Sequence, residues 1–184
     1  MRDTARVDFT IRPIGAAEHG ILGELTAQAY LREGLLDHGE QDPYLPRLRD
    51  VASRAAVAEV LVAVDGDSAE AGESAEAGET LLGGVTYVPE PGRMSDLARD
   101  GEAEIRMLAV APEARRRGVG EALTRACLDR ARAAGRTAVV LSSQARMHAA
   151  HRIYERLGFQ RDPRRDWTPD DKLDLLLVAY RLEL

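Results

Sequence analysis

A mixed α/β fold is what the order of apolar runs predicts. Short runs rich in branched residues alternate along the chain with stretches whose apolar positions recur at helical spacing. Two further observations agree with it. The 184 residues suit one hydrophobic core, so a single domain over residues 1–184 is expected. With 45% hydrophobic residues but only 4% aromatic, that core has to be built from Leu, Val, Ile and Ala.

The elements follow in order. Phe9 to Pro13 reads as a short strand, and Ala17 to Leu31 as a helix with Ile21, Leu22, Leu25 and Ala29 near one face. After a loop from Gly34 to Asp42, a second helix is predicted over Tyr44 to Ala58. Its buried face is Leu45, Leu48, Val51, Ala52 and Ala55, and Pro43 and Pro46 suit its first turn. Val60–Val64 and Leu81–Val88 are β-branched runs and read as strands. Between them, Ser68-Ala69-Glu70-Ala71-Gly72-Glu73 is repeated as Ser74-Ala75-Glu76-Ala77-Gly78-Glu79. This acidic tandem copy has no large apolar residue to bury, so a flexible surface loop is expected at about 65–79. A third strand runs from about Ala103 to Val110 and stops before Pro112. The helix predicted over Gly118 to Ala134 sets Val119, Leu123, Cys127 and Ala131 on one face and Glu121, Arg125, Asp129 and Arg132 on the other. Gly135 ends it. Thr137–Ser142 is a strand, Met147–Leu157 a short helix ended by Gly158, residues 160–172 a polar loop or irregular strand, and Leu175–Leu184 a terminal strand.

Composition excludes several functions. A net charge of −6 repels polyanions at long range, so nucleic acid is not expected as a partner, and any anion needs a local site. Cys127 is the single cysteine, and no Cys/His cluster has zinc spacing; no metal is expected. No window approaches the roughly 20 apolar residues of a membrane span, and Met1 to Thr10 has no signal-type apolar stretch. No membrane partner and a cytoplasmic location are therefore expected.

The segment Arg115-Arg116-Arg117-Gly118-Val119-Gly120 joins a strand to an amphipathic helix. Two glycines at a helix start let backbone N–H groups approach a ligand, and those orphan donors and the helix dipole favour an anion. Three neighbouring arginines would strengthen a phosphate site. A P-loop would need GxxxxGK[ST], and a dinucleotide fingerprint would need a small residue where Leu123 stands. The alternative is a turn shaped by Gly118 and Gly120 beside solvated arginines.

With these residues the chain resembles the GCN5-related N-acetyltransferase (GNAT) family, whose acetyl-CoA loop has the form Arg/Gln-x-x-Gly-x-Gly/Ala after a strand. Arg115, Gly118 and Gly120 match it. Ala103-Glu104-Ile105-Arg106-Met107-Leu108-Ala109-Val110 is similar to the family's central strand, and Ala150 to Phe159 to its A-x-x-[LI]-Y-x-x-x-G-F segment. The resemblance implies a mixed, largely antiparallel twisted sheet flanked by helices. It also implies direct acetyl transfer from acetyl-CoA to an amine, without a metal. It places backbone groups of Leu108, Ala109 and Val110 along the pantetheine arm, and Arg115, Arg116, Arg117, Gly118, Val119 and Gly120 around the pyrophosphate. Tyr154 would be the general acid and Glu104 the carboxylate base, and a backbone N–H near Val110 would face the oxyanion.

The chemistry suits those roles. An alkylammonium with a pKa of about 10.4 must lose a proton before it attacks a thioester, and a departing thiolate is better protonated by a nearby phenol. Each residue also has a plainer reading. Strand alternation sets Glu104 and Arg106 on one face, where they could form an ion pair. Tyr154 could be a packing residue, and Cys127 reads as core. His148 and His151, one turn apart, read as packing or substrate contacts. Met147 stands where many relatives carry Asn, so a polar cofactor contact there is lost or supplied by Gln144 or His148.

The acceptor is expected between the Tyr30–Tyr44 region and the loop around Trp167, where Glu33, Asp37 and Asp42 would favour a cation. A non-catalytic acyl-CoA-binding or regulatory module is the alternative function. The apolar terminal strand suggests a possible homodimer through an open edge.

Overall fold

Seven strands in the computed structural model, which describes residues 9–66, 80–169 and 175–184, form one sheet around which the helices pack. The duplicated hexapeptides lie outside the described residues. The strands are β1 (Phe9–Pro13), β2 (Glu59–Asp65), β3 (Leu81–Val88), β4 (Glu102–Val110), β5 (Ala138–Gln144), β6 (Gln160–Arg161) and β7 (Leu177–Glu183). Their order across the sheet is β1-β2-β3-β4-β5-β7-β6. Neighbours are antiparallel except β4 and β5, which are parallel. This is the mixed, largely antiparallel sheet flanked by helices that was expected.

Both faces of the centre are covered, which is why β2 and β3 read as unbroken apolar runs rather than alternating ones. On one face α4 (Val119–Ala133) packs Leu123, Cys127 and Ala131 against Leu61, Val85, Ile105, Val139 and Leu141. On the other, Leu22 of α1 (His19–Arg32) and Val51 meet Val60, Val62 and Val64.

The helix predicted over Tyr44 to Ala58 is instead two short ones, α2 (Leu45–Arg49) and α3 (Val51–Ala55). Asp50 breaks it: with φ −81° and ψ 70° it leaves the helical region, and its carboxylate accepts the Ser53 N–H at 3.1 Å. The buried Arg54 guanidinium donates to the Arg47 and Leu48 carbonyls, which satisfies the end of α2.

The terminal strand is not an edge. β7 pairs with β5 along its whole length and with β6 on its other side, and Trp167 adds a bridge to Leu177. The stretch 160–172, which reads as loop or irregular strand, begins with the short strand β6. β7 therefore does not offer the open edge on which a homodimer was expected.

Glu102, at the start of β4, is buried and ties two distant segments to the sheet. Its carboxylate accepts from Arg165 at 2.7 and 3.0 Å, from Arg181 at 3.0 Å and from the Arg99 N–H at 3.0 Å. Burial pushes its carboxyl up, but the two guanidiniums and the amide outweigh this and hold it below the ordinary carboxylate range. A carboxyl with a lowered folded-state pKa contributes stability that is complete above its unfolded pKa of about 4.3 and lost as pH falls through the folded value. Glu102→Gln is expected to lower stability at pH 7 and to flatten the acid limb of the stability curve, as urea melts between neutral and acid pH would measure.

Candidate active site

The parallel pair β4–β5 is in register only from Glu102↔Ala138 to Ile105↔Leu141, although both strands continue beyond it. At the same point β4 bulges against β3: Thr86 pairs with Arg106 and Gly84 with Ala109, leaving Met107 and Leu108 without a β3 partner. Met107 takes φ 51°, the left-handed region that a bulky side chain enters only under strain. β4 therefore splays from β5 and opens a cleft through the sheet.

Two cavities meet at this cleft, sharing Tyr30, Leu35, Leu108 and Met147 in their walls. The first, about 600 Å³, runs from Leu108, Ala109 and Val110 to Arg115, Arg116, Gly118, Val119 and Gly120. α5 (His148–Arg156) forms its other wall. The second, about 410 Å³, lies toward α2 and Trp167.

The start of α4 lies in the wall of the first cavity. Gly118 caps the helix at φ 83° and Arg116 sits at φ 64°, both in the left-handed region from which anion-binding backbone nests are built. Among the described residues, the N–H groups of Arg116, Gly118, Val119, Gly120 and Glu121 donate to no protein acceptor; the Arg117 N–H is bound to the Ala114 carbonyl. A side chain at Gly120 would meet Ile153 Cδ1 at 3.2 Å and Val110 Cγ2 at 3.5 Å, so only a bare backbone leaves the channel beside Leu108 open. Five arginines, Arg115, Arg116, Arg146, Arg152 and Arg156, line this cavity against two glutamates, Glu33 and Glu121, in a chain of net charge −6.

The predicted site residues separate into three groups. Leu108, Ala109, Val110, Arg115, Arg116, Gly118, Val119 and Gly120 come together in the first cavity. Arg115 bonds Glu33 at 2.5 Å, and both side chains are largely exposed. Arg117 turns away from the cavity and bonds Asp65 at 2.7 Å. Tyr154 lines the second cavity, its ring packed on Phe159 at 5.9 Å and Tyr180 at 5.7 Å. Burial drives its phenol, and that of Tyr30, well above the usual range, so both hydroxyls stay protonated.

Glu104 lies apart from both cavities. It is 1% exposed, and its Oε2 accepts the N–H groups of Asp96, Leu97 and Ala98 at 3.0, 2.9 and 3.0 Å. Its Oε1 is 4.0 Å from Arg106 Nε, while Arg106 makes a closer pair with Asp96 at 2.5 Å. Burial pushes the carboxyl up, against the pull of the amides and Arg106. Glu104→Ala strands three amides around an emptied site and is expected to cost about 2–4 kcal/mol. A chemical melt measures this, and a loss below about 1 kcal/mol would show that the turn at 96–98 holds itself.

Gln144 lines the second cavity rather than the first. Its Nε2 donates to the Leu35 carbonyl at 2.8 Å and its Oε1 accepts from Arg146, clamping the loop after α1 to the end of β5. His148 lines the first cavity. His151 is a packing residue: its Nε2 lies 3.2 Å from Ser143 Oγ and 3.1 Å from the Gln144 carbonyl, and burial lowers its pKa. Cys127 is enclosed in the core. Sequence reasoning missed Arg146, Arg152 and Arg156. The signal for the latter two was a helix carrying basic residues at positions 152 and 156, four apart and so on one face; Arg146, in the turn before that helix, had none.

The Acetyltransferase (GNAT) family profile matches residues 37–159. Among solved structures, yncA from Salmonella typhimurium, determined with its cofactor acetyl-CoA, is 20% identical, with 96% of this chain and 94% of that chain covered and a TM-score of 0.66. A GCN5-related N-acetyltransferase from Kribbella flavida is 23% identical over 96% and 98% of the two chains, with a TM-score of 0.64. The ribosomal-protein-S18-alanine N-acetyltransferase of Escherichia coli is 18% identical over 95% and 93%, with a TM-score of 0.62. At these identities the structural likeness establishes the fold. No curated protein sequence matches the chain. No helix among the described residues is long and apolar enough to cross a membrane.

Proposed function

Because the chain belongs to the GNAT acetyltransferase family, we propose that it moves an acetyl group from acetyl-CoA directly to a primary amine. The observation that carries this is the row of unpartnered amides at Arg116 and Gly118 to Glu121, set among five arginines in an otherwise acidic chain. A pyrophosphate supplies the acceptors those donors lack. The Arg115–Glu33 pair is solvent-exposed and so weak, which leaves the guanidinium ready to exchange its carboxylate for a phosphate. Backbone groups of Leu108, Ala109 and Val110 line the path from this cradle to the cleft and suit a pantetheine arm.

The thioester supplies the acetyl carbon: a C–N bond forms at it as the C–S bond breaks. We assign the oxyanion to the Leu108 N–H, in the bulge where β4 leaves β5, rather than to one near Val110 as the family resemblance implies, because Val110 lies farther from the last β4–β5 pair, at the wide end of the split. Tyr154 gives its hydroxyl proton to the departing thiolate, and the attacking amine passes its own proton to water. We assign Glu104 to positioning: through the amides of residues 96–98 it fixes Asp96 and, with it, Arg106 in the wall of the second cavity.

Calorimetric titration with acetyl-CoA, CoA and adenosine 3′,5′-bisphosphate, followed by thiol release with an amine panel, tests the reading. Saturable acetyl-CoA binding, tighter than the bisphosphate, and turnover with an amine are expected. Equal affinity for the bisphosphate would reduce the site to a phosphate binder, and tight binding without turnover would favour a non-catalytic module.

A further inference from the structure

The charges of the second cavity point to its occupant. Five charged side chains line it, and four are already engaged. Asp37 accepts from Arg146 at 3.2 Å. Both oxygens of Asp42 accept backbone N–H groups, from Tyr44 at 2.9 Å and His38 at 3.3 Å. Asp96 and Arg106 hold each other at 2.5 Å, and Arg106 also donates to the Met94 carbonyl. The fifth, Arg47, is exposed, its guanidinium 5.9 Å from the centre of the Tyr44 ring. Among the described residues no carboxylate lies within ion-pair distance of it.

We propose that Arg47 recognises a carboxylate on the acceptor, so that the enzyme acetylates a small amino acid rather than a polyamine or a lysine side chain. The inference rests on the acetyltransferase reading above. It departs from the cation that Glu33, Asp37 and Asp42 suggest in the sequence: Glu33 lines the first cavity rather than this one, Asp37 is balanced by Arg146 and Asp42 by two backbone N–H groups, while Arg47 has no carboxylate beside it among the described residues. The planar guanidinium, 5.9 Å from the Tyr44 ring centre, keeps its fork of N–H donors for a ligand, and such a fork matches a carboxylate two bonds at a time. The rings of Tyr30, Tyr44 and Trp167 in the same walls suit an apolar or aromatic side chain beside that carboxylate.

Thiol release would be measured with phenylalanine, methionine and leucine, with the carboxamide of each, and with spermidine. At least one free amino acid should be used with a kcat/KM about tenfold or more above its carboxamide, in line with a charge-assisted pair at a partly exposed site. About 0.5 M salt should shrink that preference. Arg47→Ala should erase it through KM while leaving acetyl-CoA affinity unchanged, and Arg47→Lys should keep part of it. The Arg47 carbonyl that Arg54 binds survives both substitutions, so both variants should fold. Equal use of acid and carboxamide, a preference for spermidine, or a preference untouched in Arg47→Ala each overturns the proposal. So does an enzyme that binds acetyl-CoA and acetylates nothing in the panel; failure to bind acetyl-CoA overturns the acetyltransferase reading as well.

Discussion

Gly120→Asp is expected to weaken acetyl-CoA binding on the order of 100-fold or more, and Gly118→Asp by a similar factor for a different reason. At Gly120 the backbone is helical and space is limiting: the new Cβ would already touch Ile153 at 3.2 Å and Val110 at 3.5 Å, so the carboxylate is driven into the channel beside Leu108. At Gly118 nothing lies within 4 Å of the added carbon, and φ of 83° is limiting instead. An L-residue there is strained by about 1–2 kcal/mol, and the variant adds a negative charge where the amides await a phosphate. Gly118→Ala separates the two effects, since it carries the strain without the charge; it should lower stability by about that amount and keep most of the affinity. Calorimetry with circular-dichroism melts on the same samples reads both quantities. A folded Gly120→Asp protein that binds acetyl-CoA like the parent would remove the cradle from the first cavity.

Elements whose cause is local were legible in the sequence. Strand and helix periods located β2 to β5, α1, α4 and α5, and the glycine pattern marked the helix start at Gly118, because glycine is the residue a left-handed cap selects. Features set by a partner outside the element were not. The family resemblance made Glu104 a candidate base, yet its Oε2 accepts the amides of residues 96–98, and no residue pattern in the loop before β4 announces that this turn folds back onto the strand. The ion pair expected between Glu104 and Arg106 is long at 4.0 Å, since Asp96 competes for the guanidinium. Met107 bends β4 at φ 51° with no glycine to announce it; the strain is held by packing and pairing on either side. The arginines showed a limit of the same kind. Three in a row suggested one phosphate site, but adjacent side chains diverge, and Arg117 ends beside Asp65 on β2 instead.

Tyr154→Phe is expected to lower kcat by about 100-fold while leaving acetyl-CoA affinity and folding nearly unchanged. The ring contributes to packing through Phe159 and Tyr180, and phenylalanine keeps those contacts, so stability should stay within about 1 kcal/mol. What the substitution removes is one proton donor at the wall of the second cavity, close to the cleft between β4 and β5. Burial raises the phenol above its ordinary value, so the hydroxyl carries its proton across the working range, as an acid must before the thiolate leaves. The same shift fixes the form of the pH profile. Rate should rise with pH as the acceptor amine loses its proton, and no alkaline fall should come from Tyr154, whose ionisation lies beyond that range. A fall near pH 10 that vanishes in Tyr154→Phe would mean the hydroxyl is better solvated than its buried ring implies. An unchanged kcat in the variant would leave Tyr154 a packing residue and hand protonation of the thiolate to water, which is chemically feasible because a thiol with a pKa of about 8.5 is a good leaving group.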